Sequence, residues 1–312
     1  MLMRVKAEAL QKRSIKLHQI RDVVAVAECG SLRAAARQLG ITQPAITRSI
    51  REIENYLGAS LFERSAQGVV TTTIGSAFLR RASSIQSELA RAKEEVDQMS
   101  GIEVGHVNVG LSSVPHLALL PEALPAFRKR FPRVDLTIQE GLFSRMQGML
   151  EDGQLDFYVG PLSEENLPGS LISELLFENQ RVIFGRLGHP LAKAKTLREL
   201  VDANWISTSV THQSEFELAP VFEHHDLPAP RIMLHAQSAL TMVLAAASSD
   251  LLTMLPRQWL QFPGISQLLM PINVIEPLAA PPIFTVRRRR LPLTPAAEYL
   301  YDMFVRAAAD HT

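Results

Sequence analysis

Gln43, Thr47, Arg48 and Arg51 follow one another at spacings that put them on one face of any helix spanning them. Each can serve at a nucleic-acid edge. Gln pairs bidentately with adenine, Arg does so with guanine or clamps a phosphate, and Thr can bond to bases or to the backbone. Ile46, Ile50, Ile53 and Leu57 recur on the other side at steps of four, three and four, so a buried stripe lies opposite a reading face.

The flanking residues position that segment. Ser31 is a good N-cap for a preceding helix whose Ala34, Ala35 and Ala36 allow close packing, Leu39 closes that helix, and Gly40 supplies the left-handed turn. Thr42 caps the next helix and Pro44 falls in its first turn, where a missing N–H costs little. A solvated helix in a bundle would also show a polar face. Here cap, turn and basic face fall in register as a helix-turn-helix, and Ser31, Arg33, Thr42, Gln43, Pro44, Thr47, Arg48 and Arg51 form its DNA-binding set. Leu61 to Thr72 then reads as a short β-hairpin with Gly68 at its turn. This is a wing with Arg64 at its base as a further phosphate contact.

The run from Ala35 to Ile50, Ala-Ala-Arg-Gln-Leu-Gly-Ile-Thr-Gln-Pro-Ala-Ile-Thr-Arg-Ser-Ile, is followed by Leu57-Gly58 and Leu61-Phe62-Glu63-Arg64. It closely resembles the amino-terminal domain of LysR-type transcriptional regulators, and later landmarks extend the resemblance over essentially the whole chain. The resemblance implies a multidomain architecture: an all-α winged helix-turn-helix, a long linker helix, and an α/β periplasmic-binding-protein-like effector domain of two subdomains. It also implies an interrupted inverted repeat in double-stranded DNA as target, a small-molecule effector, self-association as a dimer of dimers, and RNA polymerase as a further candidate partner. The chain departs from the family pattern in two places. Gln67 stands where many members carry a basic residue before the wing glycine. Residues 1–15 form an extension whose Arg4, Lys6, Lys12 and Arg13 make it too polar for a signal peptide, so it reads as a frayed basic arm.

Composition agrees with a divided chain. At 312 residues and 46% hydrophobic content there is material for two or three domains with sizeable cores. No apolar run reaches bilayer length, so the expectation is a cytoplasmic protein with no membrane partner. The single Cys29 rules out an intrachain disulfide and a two-cysteine redox switch, and reads as a small core residue. The net charge of zero hides a polarity: residues 1–72 hold 11 Lys and Arg against 6 Asp and Glu, whereas residues 101–312 hold 17 against 22. The basic end is the helix-turn-helix end. No phosphate loop, nucleophile elbow or paired acid motif speaks for an enzyme. His224-His225 and the other histidines lack metal-site spacing, and no cofactor is expected. Arg287 to Arg290 reads as part of a solvated loop.

Thr73 to Ser100 reads as one helix. Phe78, Ala82, Ile85, Leu89, Ala92, Val96 and Met99 alternate steps of four and three, which is the seam of a two-stranded coiled coil. From Gly105, short β runs alternate with helices, the pattern of an α/β domain. The divisions are therefore 16–72 for the DNA-binding domain, 73–100 for the dimerising linker and 105–312 for the effector domain. Its first lobe would be 105–166 with 275–312, and its second 167–274. Effector contacts fall where strands end and helices begin: Ser112, Ser113, Val114 and Pro115 after one strand, Gly160 and Pro161 closing another, Ser209, Thr211 and His212 after a third, and Gln237 before a helix. Such donors favour a small anion, an organic acid or sulfonate, and Phe143 and Phe216 near the loops point to an aromatic one. Simple helix capping is the competing account of each single hydroxyl. Two other classes remain at this point: an architectural DNA-binding protein whose second domain only assembles, and a solute-binding protein or enzyme with an accessory helical domain.

Overall fold

The structure is a computed structural model that describes residues 14–65, 68–162, 167–207, 218–236 and 238–309. The basic extension up to Arg13, Gln67, Ser209, Thr211, His212, Phe216 and Gln237 lie outside the described residues. The chain forms two compact units, residues 1–100 with 151–154 and residues 101–150 with 155–312. No described helix is long and apolar enough to cross a membrane.

The first unit opens with α1 (Leu17–Cys29), α2 (Leu32–Gln38) and α3 (Gln43–Leu57). Ser31 Oγ accepts from Ala34 N and Thr42 Oγ1 from Ala45 N, both at 3.4 Å, so both expected caps form. Gly40 takes φ 66° in the turn between α2 and α3, a conformation that costs a side-chain-bearing residue about 1–2 kcal/mol. Ile20, Val23, Ala35, Ala36, Ile46, Ile50, Ile53 and Leu61 close the core. Cys29 is half-buried at the end of α1, its thiol 2.8 Å from Gln38 Oε1.

The wing differs from expectation in one respect. Strands β1 (Phe62–Ser65) and β2 (Gly68–Thr71) pair antiparallel with Ser65 opposite Gly68, so Gly68 opens the return strand instead of forming the turn. Its φ is 133°, a Cβ there would lie 2.4 Å from Gly30 O, and Val69 N donates to that same carbonyl at 2.8 Å. Glycine is needed because the wing docks on the turn between α1 and α2.

Helix α4 (Thr73–Met99) follows, capped by Thr72 Oγ1, which accepts from Gly75 N at 2.9 Å. Phe78, Leu79 and Ala82 pack into the core of this unit. Farther along, Ile85, Leu89, Val96 and Met99 are 46, 53, 63 and 76% exposed.

The second unit is built on a nine-stranded sheet. Its strands are β3 (Val104–Leu111), β4 (Arg133–Glu140), β5 (Phe157–Pro161), β6 (Leu171–Arg186), β7 (Asn204–Ser207), β8 (Arg231–His235), β9 (Leu251–Pro256), β10 (Leu269–Ile272) and β11 (Ala279–Arg288). The order is β4-β3-β5-β11-β6-β9-β7-β8, with β10 paired to β6. In the first lobe β3 runs parallel to β4 and β5, and α5 (Ser113–Ala118), α6 (Leu120–Arg130) and α10 (Pro295–Ala308) cover a core of Val107, Val109, Phe127, Phe157 and Phe304. Helix α7 (Phe143–Glu151) covers Leu155, Tyr158 and Val286. In the second lobe β7 runs parallel to β8 and β9. One cluster there holds Trp205, Phe222 and Leu252, with Phe222 from α8 (Ala219–Glu223), and another holds Met242, Val243 and Trp259, the first two from α9 (Ala239–Ala247).

The passage between the lobes falls later than the sequence pattern places it. Strand β6 pairs with β11 as far as Gln180 opposite Ala279, then with β9 from Arg181 opposite Pro256. Leu167, Leu171, Leu176 and Phe177 accordingly pack in the first lobe. The early part of β6 escapes sequence reading because Glu174, Glu178 and Gln180 interrupt its apolar run. Strand β10 is also unforeseen. The helix expected over 197–201 is a single 3-10 turn, Leu197–Leu200.

Only half of the arginine run departs from the expected solvated loop: Arg289 and Arg290 are exposed beyond the end of β11, whereas the two before them are not. Arg287 and Arg288 are the last residues of β11, and Arg287 stacks on the Tyr301 ring at 5.7 Å. Arg288 is buried, with Nη1 donating to Leu150 O at 3.1 Å and Leu155 O at 3.4 Å, while Arg289 Nε donates to Gly169 O at 3.2 Å. The Arg288 and Arg289 guanidiniums satisfy carbonyls left at element ends, a use that a charge count cannot reveal.

Candidate functional site

The exposed side of α3 forms a shallow concavity of about 440 Å³ lined by Gln43, Pro44, Thr47, Arg48, Arg51, Glu52 and Asn55. Opposite it, Ile46 and Ile53 are fully buried. The four reading side chains therefore share one face, as their spacing predicts. Two of them are already engaged. Arg48 Nε donates to Glu52 Oε1 at 2.8 Å, and Thr47 Oγ1 donates to Gln43 O at 2.8 Å. The Arg48 guanidinium holds the Glu52 carboxyl below the usual glutamate range, against a smaller opposing effect of desolvation. Glu52 was missed in the sequence, although a carboxylate four residues after Arg48 on one helix signals the pair. Arg33 and Arg64 are exposed, while the hydroxyl oxygens of Ser31 and Thr42 accept the capping bonds and keep their O–H groups as donors.

In the second unit the expected effector residues divide. Ser112 occupies the N-cap position of α5, but its side chain makes no capping bond. Its Oγ is buried beside the Tyr158 hydroxyl without a bond of good geometry, and has no other partner among the described residues. Capping does not explain this serine. Gly160 is required next to it, since a Cβ there would lie 2.2 Å from the Tyr158 hydroxyl and 2.8 Å from Ser112 Oγ. Pro161 O accepts from Tyr158 at 3.5 Å, and burial pushes the Tyr158 phenol well above its ordinary value, so it stays a neutral donor.

Val114 and Pro115 follow Ser113 in α5. Both are buried, Val114 in the first-lobe core. Ser113 is partly exposed at the start of α5. Phe143 is buried against Tyr158, with ring centroids 5.7 Å apart, and so offers no open aromatic wall.

Other polar atoms gather where the lobes meet. Leu117 of α5 packs against the second-lobe cluster, and α5 adjoins the 3-10 turn Arg257–Gln261. In that turn Gln258 Oε1 and Trp259 Nε1 are buried without partners among the described residues, as is Thr253 Oγ1 on β9. Buried polar groups without partners are uncommon and call for a ligand, a water or strain to account for them. Sequence reasoning missed Tyr158, Thr253, Gln258 and Trp259, which sit in apolar surroundings that mark them as core.

Comparison with known proteins bears on both units. Residues 17–76 match the bacterial regulatory helix-turn-helix protein family of lysR type, and residues 100–309 match the LysR substrate binding domain. The regulator TdcA of Escherichia coli K12 is 28% identical over 255 residues, covering 81% of each chain, and GbpR of Azospirillum brasilense is 26% identical over 315 residues, covering 98% of this chain and 90% of its own. Among solved structures, full-length CbnR complexed with its target DNA superposes with a TM-score of 0.70 at 20% identity, covering 94% of this chain and 99% of that one. A full-length variant of OxyR from Pseudomonas aeruginosa gives 0.65 at 19%, covering 94% and 98%. The chain belongs to the LysR family: it is a ligand-responsive, DNA-binding transcriptional regulator and not an enzyme.

Proposed function

We propose that this regulator reads two half-sites of an interrupted inverted repeat as an oligomer joined through α4, and that a small anionic organic effector bound between the lobes changes how it sits on DNA. Gln43, Thr47, Arg48 and Arg51 read base edges, while Ser31, Arg33, Thr42, Pro44 and Arg64 meet the backbone around them. One observation carries the reading. The same unit displays a polar, basic face on α3 and an unburied apolar seam on α4, and reading two half-sites requires both. The solved CbnR structure, a protein of the same fold complexed with its target DNA, supports this use of the fold. The effector part of the proposal rests on Ser112, Tyr158, Gly160 and the buried polar atoms where α5 meets the second lobe.

Operator and random duplexes compared by fluorescence anisotropy test the reading role. Arg48→Ala or Gln43→Ala costs about 1–3 kcal/mol on the operator and less on random DNA. Equal losses on both would reduce these residues to phosphate contacts.

A further inference from the structure

Glu52 is out of keeping with the face that it shares. Of the described residues lining the concavity on α3, it alone carries a carboxylate, among Gln43, Thr47, Arg48, Arg51 and Asn55. A face that meets DNA meets one phosphate charge per about 1.7 Å of duplex, so a carboxylate there opposes association with every sequence. Helix stability does not account for it. An exposed ion pair one turn apart contributes little, and Arg before Glu is the less favourable order along a helix.

The carboxylate is also held from behind. Gln19 of α1 is buried, and its Oε1 accepts from Lys16 N at 3.0 Å. That bond fixes which way the amide points, so its Nε2 is left to donate to Glu52 Oε2, at 3.2 Å. The other carboxylate oxygen, Oε1, accepts from Arg48 Nε at 2.8 Å. Glu52 therefore bridges a buried donor on α1 and an exposed arginine of the reading face. In the major groove guanine, adenine N7 and thymine O4 all present acceptors, which a carboxylate repels, whereas cytosine presents the N4 donor that a carboxylate can take.

We propose that Glu52 is a specificity-determining residue that accepts from cytosine N4 beside the base read by Arg48, and that Gln19 is the positioning residue that keeps its carboxylate there. This rests on the reading of α3 above and adds one base and two residues to it. One helical turn advances about 5.4 Å, between one and two base-pair steps of about 3.4 Å, so side chains at 48 and 52 reach neighbouring pairs where α3 lies along the groove. With Oε2 anchored to α1, Glu52 keeps its place when Arg48 leaves it for a base. On the right sequence the Arg48–Glu52 pair is exchanged for an arginine–guanine fork and a carboxylate–cytosine bond. On a wrong one the carboxylate loses its arginine and meets an acceptor, so discrimination comes from repulsion as well as attraction.

The test uses the full chain as wild type, Glu52→Gln, Glu52→Ala and Gln19→Met. Each selects from a duplex pool with a randomised central stretch, and the recovered sequences are compared. The wild-type half-site holds a cytosine position that the two Glu52 variants no longer enrich, while positions read by the other side chains persist. Anisotropy is then measured on the recovered duplex and on two altered ones. In the first a thymine pair replaces that cytosine pair. In the second N4-methylcytosine keeps its guanine partner but loses the groove-facing N–H. Both changes weaken the wild type by about 10-fold, the scale of one base-edge contact, and Glu52→Ala hardly at all. Glu52→Gln gains more affinity on the thymine duplex than on the original. Gln19→Met discriminates to an intermediate degree, and taking the ratio on one sample cancels any loss of folded protein. Equal gains on all duplexes in the Glu52 variants overturn the inference, because the carboxylate would then only repel phosphate. Wild-type discrimination in Gln19→Met removes Gln19 from the device. A wild type that enriches no sequence breaks the reading of α3 itself, whereas a wild-type sequence that the Glu52 variants select unchanged breaks only this assignment.

Discussion

The proposed reading face of α3 and the proposed effector site both draw on regular elements, yet they are built in opposite ways. On α3, the reading residues come from one stretch of nine, presented by a single helix whose caps, stripe and turn are encoded within a few residues of them. The proposed effector site draws instead on Ser112 before α5, Tyr158 on β5, Thr253 on β9 and Trp259 in the 3-10 turn, spread over much of the second unit. A local site survives as long as its helix does. A distributed one depends on every register that positions it, so damage to the two regions should separate cleanly in experiment.

The largest separation is expected at the seam of α4, which on the proposed reading serves DNA binding by joining two copies of the chain. Asp at both Ile85 and Leu89 places unpaired carboxylates in an interface where desolvation costs several kcal/mol per ion. Sedimentation should show loss of the dimer and anisotropy a loss of operator affinity, while Trp fluorescence of the second unit is unchanged. A dimer that survives and still binds the operator would show that α4 is not the joining element.

Next comes the distributed site. Gly160→Ala drives a Cβ into the Tyr158 hydroxyl and Ser112 Oγ, and forced overpacking of this kind costs about 1–3 kcal/mol. The effector response should vanish and the second unit should melt earlier, with operator binding intact. An unaltered response would place the effector elsewhere.

A smaller effect compares two residues at the same kind of position. Thr42 and Ser112 both precede a helix, but only Thr42 makes the capping bond. Thr42→Ala should destabilise the first unit by about 0.5–1 kcal/mol in urea titration. Ser112→Ala, which removes a buried hydroxyl with no partner, should leave the stability of the second unit level or slightly raised while weakening the effector. Equal destabilisation by both changes would reduce Ser112 to a structural cap.

This contrast explains what the sequence could show. The helix-turn-helix, its caps, the linker helix and most strands were legible because periodicity and capping act over a few residues. Gly68 was misplaced by one position because a tight approach to Gly30 across the wing, and not the turn itself, requires it. The lobe boundary moved to Gln180 and Arg181 because a strand shared by two lobes has no composition break where it changes partner. The buried roles of Val114, Pro115, Phe143 and Arg288 depend on contacts with residues far along the chain, which no local pattern carries.

The smallest effect concerns the Arg48–Glu52 pair, which must open before Arg48 can reach a base. Glu52→Gln removes the competitor, so operator affinity should rise, by a few-fold at most because both side chains are well exposed and salt screens the pair. The pH dependence follows from the sign of the shift. Arg48 lowers the Glu52 carboxyl below its ordinary value, so the pair is fully present above the unfolded glutamate value and is lost only as the pH falls through the lower folded one. Both values lie in the acid range, so the carboxylate stays ionised from pH 6 to 8. The ratio of operator affinities of Glu52→Gln and wild type should therefore be flat across that interval and shrink only towards pH 4. Anisotropy titrations at several pH values measure it. A ratio that changes between pH 6 and 8 would show that some group other than Glu52 restrains the reading arginine.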